Sequence, residues 1–198
     1  MTSNLIKKVK WIAIQTVYSP IALAFVCSRE KKTISYDIKK WLQVYDVKTD
    51  IVGGLSYLFY KFPEFRNVFY HRIGFIHHFL QIIYPKLSSL YITTSSIGKG
   101  LFIQHGFSTI IAAKSIGNDC WINQQVTIGF SNKNDCPVIG NHVTIHAGAK
   151  VIGGISIGNH AVIGANAVVV KNVPDHCVVV GVPAYIIKKE GIKTNIPL

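Results

Sequence analysis

"CPVIGNHVTIHAGAKVIGGISIGNHAVIGANAVVVKNVP", residues 136 to 174, returns an aliphatic side chain at every sixth position. Ile139, Ile145, Val151, Ile157, Ile163 and Val169 keep this beat without a slip. A helix repeats every 3.6 residues and a strand every two, so a period of six requires a short strand plus a turn, repeated. Three such units close one triangular coil, and stacked coils bury the aliphatic residues in a common core, which predicts a parallel β-helix. Glycine follows many of the aliphatics, in "IGKG", "IGND", "IGNH" and "IGAN". These fit turn positions where a side chain would clash or where φ must be positive.

Upstream the beat continues through Ile97 and Ile103, then Ile116, Ile122 and Ile128, with two slips. There is one extra residue between position 109 and Ile116, and the spacing from Ile128 to Ile139 is eleven. The second slip contains "FSNKNDCP" (130–137), expected to leave the prism as a loop, and long loops on regular scaffolds often carry function. Before residue 90 the pattern is helical. In "FRNVFYHRIGFIHHFLQIIY" (65–84), Phe65, Val68, Phe69, Ile73, Ile76, Leu80 and Ile83 recur every three or four residues, and Pro85 stops the helix. The expectation is a mainly β protein: an α-helical N-terminal region over 1–90, the β-helix over 91–187 and a tail over 188–198.

The composition narrows the classes of function. At 198 residues and 49% hydrophobic content the chain can bury a substantial core. Lys and Arg outnumber Asp and Glu by 21 to 9, a balance of +12 that favours anionic partners. The basic residues are scattered and form no stripe with stacking aromatics, so nucleic acid is set aside. Cys27, Cys120, Cys136 and Cys177 show no metal-ligand spacing and are too few to staple a chain of this size. They read as free thiols in a reducing cytosol, and a cytoplasmic location is expected. Lys7, Lys8 and Lys10 precede an apolar run from Trp11 to Cys27, which Gln15, Thr16, Ser19 and Pro20 interrupt. That disfavours a signal peptide or a spanning helix. A buried helix pair is the leading reading, and peripheral contact of this basic stretch with the inner face of a membrane is the other.

Four stretches carry a family likeness: "SIGKGLFIQHG" (96–106), "QQVTIG" (124–129), the opening stretch, and "VVVGVPAYIIKK" (178–189). They resemble the hexapeptide-repeat acyltransferases, whose prism is a left-handed β-helix, and most closely the serine acetyltransferase branch. "KNVPDHCVVVGVPA" (171–184) is the signature specific to that superfamily, and "YHRIGFIHHF" (70–79) weakly resembles the helix that leads into the prism. The resemblance covers about half the chain, from about residue 92 to 188. It implies a homotrimer with acetyl-CoA lying in the groove between neighbouring prisms, and no metal.

The resemblance also assigns residues. His105 in "GLFIQHGFSTII" (100–111) stands where the serine branch carries its catalytic histidine. An alcohol is a poor nucleophile until a base takes its proton, and imidazole suits that work near neutral pH. Backbone N–H groups would stabilise the oxyanion. Ala147 and Ala165 match positions that let the pantetheine arm approach the backbone, although tight coils need small residues in any case. Lys150, and Lys188 with Lys189, are candidates for the cofactor phosphates; a solvated basic tail explains the last two equally well.

Departures from the serine branch point to the acceptor. That branch pairs its histidine with an aspartate just before the first coil, but "SSLYITTSSIG" (88–98) has no acid. Asp135-Cys136-Pro137 replaces an Arg-His-Pro triplet, and Gln104 replaces an aspartate. With three serine-reading groups changed, another hydroxyl acceptor is expected. Gln104, Trp121 and His146 are its candidate binding residues, with Phe130 near the groove, and a neutral amide beside aromatics suits a sugar ring. Trp121 fits packing at the trimer seam equally well. The sequence reading is therefore an acetyl-CoA-dependent O-acetyltransferase acting on a sugar hydroxyl of a cell-surface polysaccharide. Serine O-acetylation for cysteine synthesis is the alternative. His142 and His160, 18 residues apart in repeated "IGNH", should stack, which raises a metal-dependent hydratase as a distant third reading. His71, His77 and His78 read as one face of an amphipathic helix without ligand spacing.

Overall fold

The computed structural model describes residues 9, 12–14 and 16–198. Lys7, Lys8, Lys10, Trp11 and Gln15 therefore lie outside the described residues. The chain forms two compact units, one ending at Lys86 and the other running from Leu87 to Leu198. No helix among the described residues is long and apolar enough to cross a membrane.

The first unit is helical: α1 (Ser19–Cys27), α2 (Lys31–Val44), α3 (Ile51–Lys61), α4 (Pro63–Ile73) and α5 (His77–Ile83). Asp50 caps α3 by accepting a hydrogen bond from the Gly53 N–H. Phe59 sits at the centre, with edge-on contacts to Phe65, Phe69, Tyr70 and Tyr84. An ion pair between Arg72 Nε and Asp37 Oδ2 (3.0 Å) is sealed in the same unit, the side chains 6% and 2% exposed. The stretch 65–84, expected as one helix, is broken at Gly74. That residue takes φ 63°, and a 3-10 turn over Gly74–Ile76 follows it before α5. Phe65, Val68 and Phe69 are buried as expected, but Ile76 and Ile83 stand half or more exposed.

The second unit is the β-helix. The short strands run as three parallel stacks. One contains β1 (Leu90–Ile92), β4 (Thr109–Ile111), β7 (Thr127–Gly129), β10 (Lys150–Ile152) and β13 (Val168–Val169). The second contains β2 (Ser96–Ile97), β5 (Ser115–Ile116), β8 (Val138–Ile139) and β11 (Ser156–Ile157). The third contains β3 (Phe102–Ile103), β6 (Trp121–Ile122), β9 (Thr144–Ile145), β12 (Val162–Ile163) and β14 (Cys177–Val180). Antiparallel β15 (Tyr185–Lys189) and β16 (Ile192–Pro197) extend that third sheet, so residues 188–198, expected as a tail, contribute strand. The aliphatic column Ile103–Ile122–Ile145–Ile163–Val179 runs down the third stack, and Ile111–Ile128–Val151–Val169 down the first.

Two details differ from the sequence reading. The residue in register with the aliphatic column after Ile103 is Ile111, paired with Ile128; Thr109 is also buried but pairs with Leu90. The corner between β3 and β4 is thus two residues longer than the corner below it, and the next corner, from Ile111 to Ile116, is one shorter. The glycines of "IGN" also serve closeness rather than a positive φ. A Cβ on Gly117 would sit 2.6 Å from the Gly140 backbone of the next coil. The left-handed residue comes two places later, at Asp119 (φ 56°), His142 (55°) and His160 (57°).

Candidate active site

Alternation along a strand decides which side chains face outward. Ile103, Ile122 and Ile145 point into the prism and are fully buried. Their neighbours on either side therefore turn away from the prism interior: Gln104, Trp121 and Asn123, Thr144 and His146, and Phe102, which is itself fully buried. The pairings Ile103↔Ile122↔Ile145 and the bonds from Gln104 N–H to Ile122 O and from Asn123 N–H to Ile145 O hold these in register. Gln104, Asn123 and His146 form one column, each a coil apart, about 4.8 Å. Trp121 lies beside it, its ring 4.4 Å from that of Phe102.

The next column along the corner is His105, Gln124, Ala147 and Ala165. His105 differs from the other three in its backbone. It takes φ 66°, with Gly106 at 58° and Ser108 at 52°, and the Gly106 N–H closes back on the Gln104 carbonyl at 2.9 Å. In the coil below, the left-handed residue is Gln125 alone (φ 59°). The two extra corner residues thus force a tight turn that a non-glycine residue adopts at a cost of about 1 kcal/mol or more. The His105 ring is exposed and makes no hydrogen bond or ion pair with a described residue.

The structure thus brings Gln104, His105, Trp121, His146, Ala147 and Ala165 onto one sheet face and its adjoining corner. Lys188 lies at the far end of the same sheet, opposite Val178. Lys150 Nζ is occupied by the Gln125 carbonyl at 2.7 Å, which ties it to the corner of the coil above. Phe130 stands exposed in the loop at a different corner. In that loop the Asp135 carboxylate accepts bonds from the Ser131 hydroxyl, the Asn132 side chain and both backbone N–H groups. The Ser131 bond foremost, with the Asn132 N–H, holds its carboxyl below the usual range. Asp135 organises its own loop. Burial pushes the Cys120 thiol up to about 11, which leaves it an inert core group at neutral pH.

Sequence reasoning missed Asn123 and Gln124. Their side-chain carbonyl oxygens are buried without a hydrogen-bond partner. The signal was present: "FIQH" (102–105) and "WINQ" (121–124) align once Ile103 is set on Ile122. His142 and His160 stack as expected, 4.6 Å apart and 10° from parallel, and His176 continues the pile at 4.7 Å. Among the described residues no group of three or more His, Cys, Asp or Glu converges as a metal site.

Residues 136–171 match the family model described as bacterial transferase hexapeptide (six repeats). The solved serine acetyltransferase of Neisseria gonorrhoeae superposes with a TM-score of 0.66 at 31% identity, over 83% of this chain and 68% of that one. The chain belongs to the hexapeptide-repeat acyltransferases. Within that family it is serine acetyltransferase-like, and its prism is the left-handed parallel β-helix. Serine acetyltransferases of Synechococcus elongatus and Staphylococcus aureus are 41% identical over 103 residues and 44% identical over 105. These alignments take in 50% and 51% of this acyltransferase-family chain but 42% and 49% of the relatives, so the chain spans about half the length of the curated relatives it matches. A Brucella abortus serine acetyltransferase solved in complex with coenzyme A superposes with a TM-score of 0.66 at 25% identity, over 87% of this chain and 73% of that one.

Proposed function

We propose that the chain is an acetyl-CoA-dependent O-acetyltransferase working as a homotrimer in the cytoplasm, with His105 as its general base. The observation that carries this reading is the backbone of His105. It alone in its column is turned left-handed, with a free ring, at the head of the small-residue column Ala147–Ala165. Acetyl-CoA would lie down that column with its phosphates toward Lys188. Imidazole takes the proton of the acceptor hydroxyl as that oxygen attacks the thioester carbonyl. The oxyanion, held by backbone N–H groups, collapses and expels the CoA thiolate, which takes the proton back from the imidazolium. No covalent enzyme intermediate is needed.

For the acceptor, two lines of support diverge. The relatives are named serine acetyltransferases, which favours L-serine over a saccharide. The side chains favour a neutral polyhydroxyl acceptor: Gln104 adjoins the base, His146 stands two coils along the same column, Trp121 adds an apolar face, and the resemblance sets Asp135 in place of an arginine that would hold a carboxylate. We adopt the saccharide of a cell-surface polysaccharide as the reading to set against serine. Thiol release from acetyl-CoA, measured with L-serine and with a panel of nucleotide sugars and polysaccharide fragments, decides between them. Release with serine alone overturns the saccharide reading, and release with a saccharide alone overturns serine. Contact of the basic N-terminal stretch with a membrane belongs to the same proposal. It requires salt-sensitive co-sedimentation with anionic vesicles and none with neutral ones.

A further inference from the structure

We infer that Asn123 is an acceptor-binding residue, taking a hydrogen bond from a substrate hydroxyl next to the one that is acetylated. This rests on the acetyl-transfer reading above and adds the residue that would read the acceptor.

Asn123 lies between Gln104 and His146 in the outward column of the third sheet, one coil below the residue that precedes His105. Its Oδ1 is buried and without a partner. Gln124 Oε1, in the His105 column, is also buried and unpaired. A buried carbonyl that has given up water needs a donor in return. One such orphan is a local packing fault, but two on consecutive residues beside the base mark a place where donors arrive with a ligand. The column offers amide, amide and imidazole. These groups can both donate and accept, which matches an array of hydroxyls, and the column contains no carboxylate, lysine or arginine to pair with a charged acceptor. Trp121, two residues earlier on the same face, offers the aromatic surface that the C–H face of a sugar ring covers.

The test uses the full chain and Asn123→Leu, which removes the polar atoms at similar volume, with Asn123→Asp as a second variant that keeps an accepting oxygen. The acceptor KM of Asn123→Leu should rise about 2- to 12-fold, the range for one lost neutral hydrogen bond, with KM for acetyl-CoA unchanged. Asn123→Asp should recover part of that loss. A deoxy acceptor lacking the neighbouring hydroxyl should cost wild type a similar factor and cost Asn123→Leu nothing further. An unchanged acceptor KM in Asn123→Leu overturns the assignment. So does dissociation of the assembly in sedimentation, which would give the orphan carbonyl to a subunit contact. If wild type accepts serine and no saccharide, the assignment falls with the saccharide reading, because serine has no second hydroxyl; a wild type active on a saccharide with an unchanged acceptor KM in Asn123→Leu overturns Asn123 alone. If nothing turns over, saturation-transfer NMR compares binding of the saccharide panel to wild type and to Asn123→Leu. Weaker binding to the variant upholds Asn123 as an acceptor-binding residue, and equal binding, or none to either protein, overturns it.

Discussion

The helical unit and the prism solve the problem of a core in opposite ways. In the helical unit each buried residue has its own neighbours: Phe59 is ringed by four aromatics, and Arg72 reaches across 35 positions to Asp37. In the prism one arrangement is repeated, so Ile122 has above and below it another isoleucine in the same place. A repeated core leaves little room for a special environment. The candidate catalytic residue is found where the repetition fails, at a corner two residues too long, and the regular coils beneath supply the surface on which it acts.

The sharpest way to break that comparison is to remove the side chain and keep the corner. His105→Ala should lower kcat by about 10²- to 10⁴-fold, the usual contribution of a positioned base, and leave the melting temperature of the prism nearly unchanged. Because His105 makes no bond to the described residues, nothing in the fold depends on its ring. A loss of stability equal to the loss of activity would make the residue structural.

The helical unit should respond in the reverse manner. Arg72→Ala takes the guanidinium from the buried Asp37 carboxylate, and the helix signal should lose about 3–5 kcal/mol of stability. Replacing both partners by apolar residues should cost far less. A double variant as unstable as Arg72→Ala would show that packing, and not the stranded charge, carries the effect.

How far each region was legible in the sequence follows from the same contrast. The prism announces itself because a period of six appears in one dimension, and Ile139 to Val169 locate three sheets without any structure. Its corners are less legible. Thr109 sits at the expected sixth position after Ile103 and is buried, yet it is Ile111 that joins the aliphatic column on Ile128, since nothing in a count of six shows where a turn absorbs extra residues. Asn123 and Gln124 are legible only by aligning "WINQ" on "FIQH", and even then a carboxamide draws notice only when its oxygen is seen to be buried and unpaired. In the helical region the buried half of 65–84 was readable from its spacing. The break at Gly74 was not, because one glycine inside a helical pattern is compatible with continuing it.

The glycines of the prism test how much of its stability is closeness between coils. Gly117→Ala places a Cβ 2.6 Å from the Gly140 backbone and should cost about 1–3 kcal/mol of prism stability. Gly191→Ala meets nothing within 4 Å, although its φ of 86° still strains the new side chain, so its cost should be smaller. Equal losses at both sites would mean that backbone conformation, and not the approach of neighbouring coils, selects glycine here.

The smallest expected effect concerns pH and returns to the helical unit. Burial, with a lesser push from the Arg72 charge, lowers the pKa of His71 from its ordinary 6.5. The folded state then binds fewer protons than the unfolded chain as pH falls below about 6.5, so stability declines through that window down to the depressed folded value and is fully present above it. Urea unfolding followed at the helix signal from pH 7.5 to 5 should show this decline, and His71→Gln should flatten it. A slope unchanged in His71→Gln would assign the acid sensitivity to some other group of the helical unit and leave the half-buried imidazole without a thermodynamic consequence.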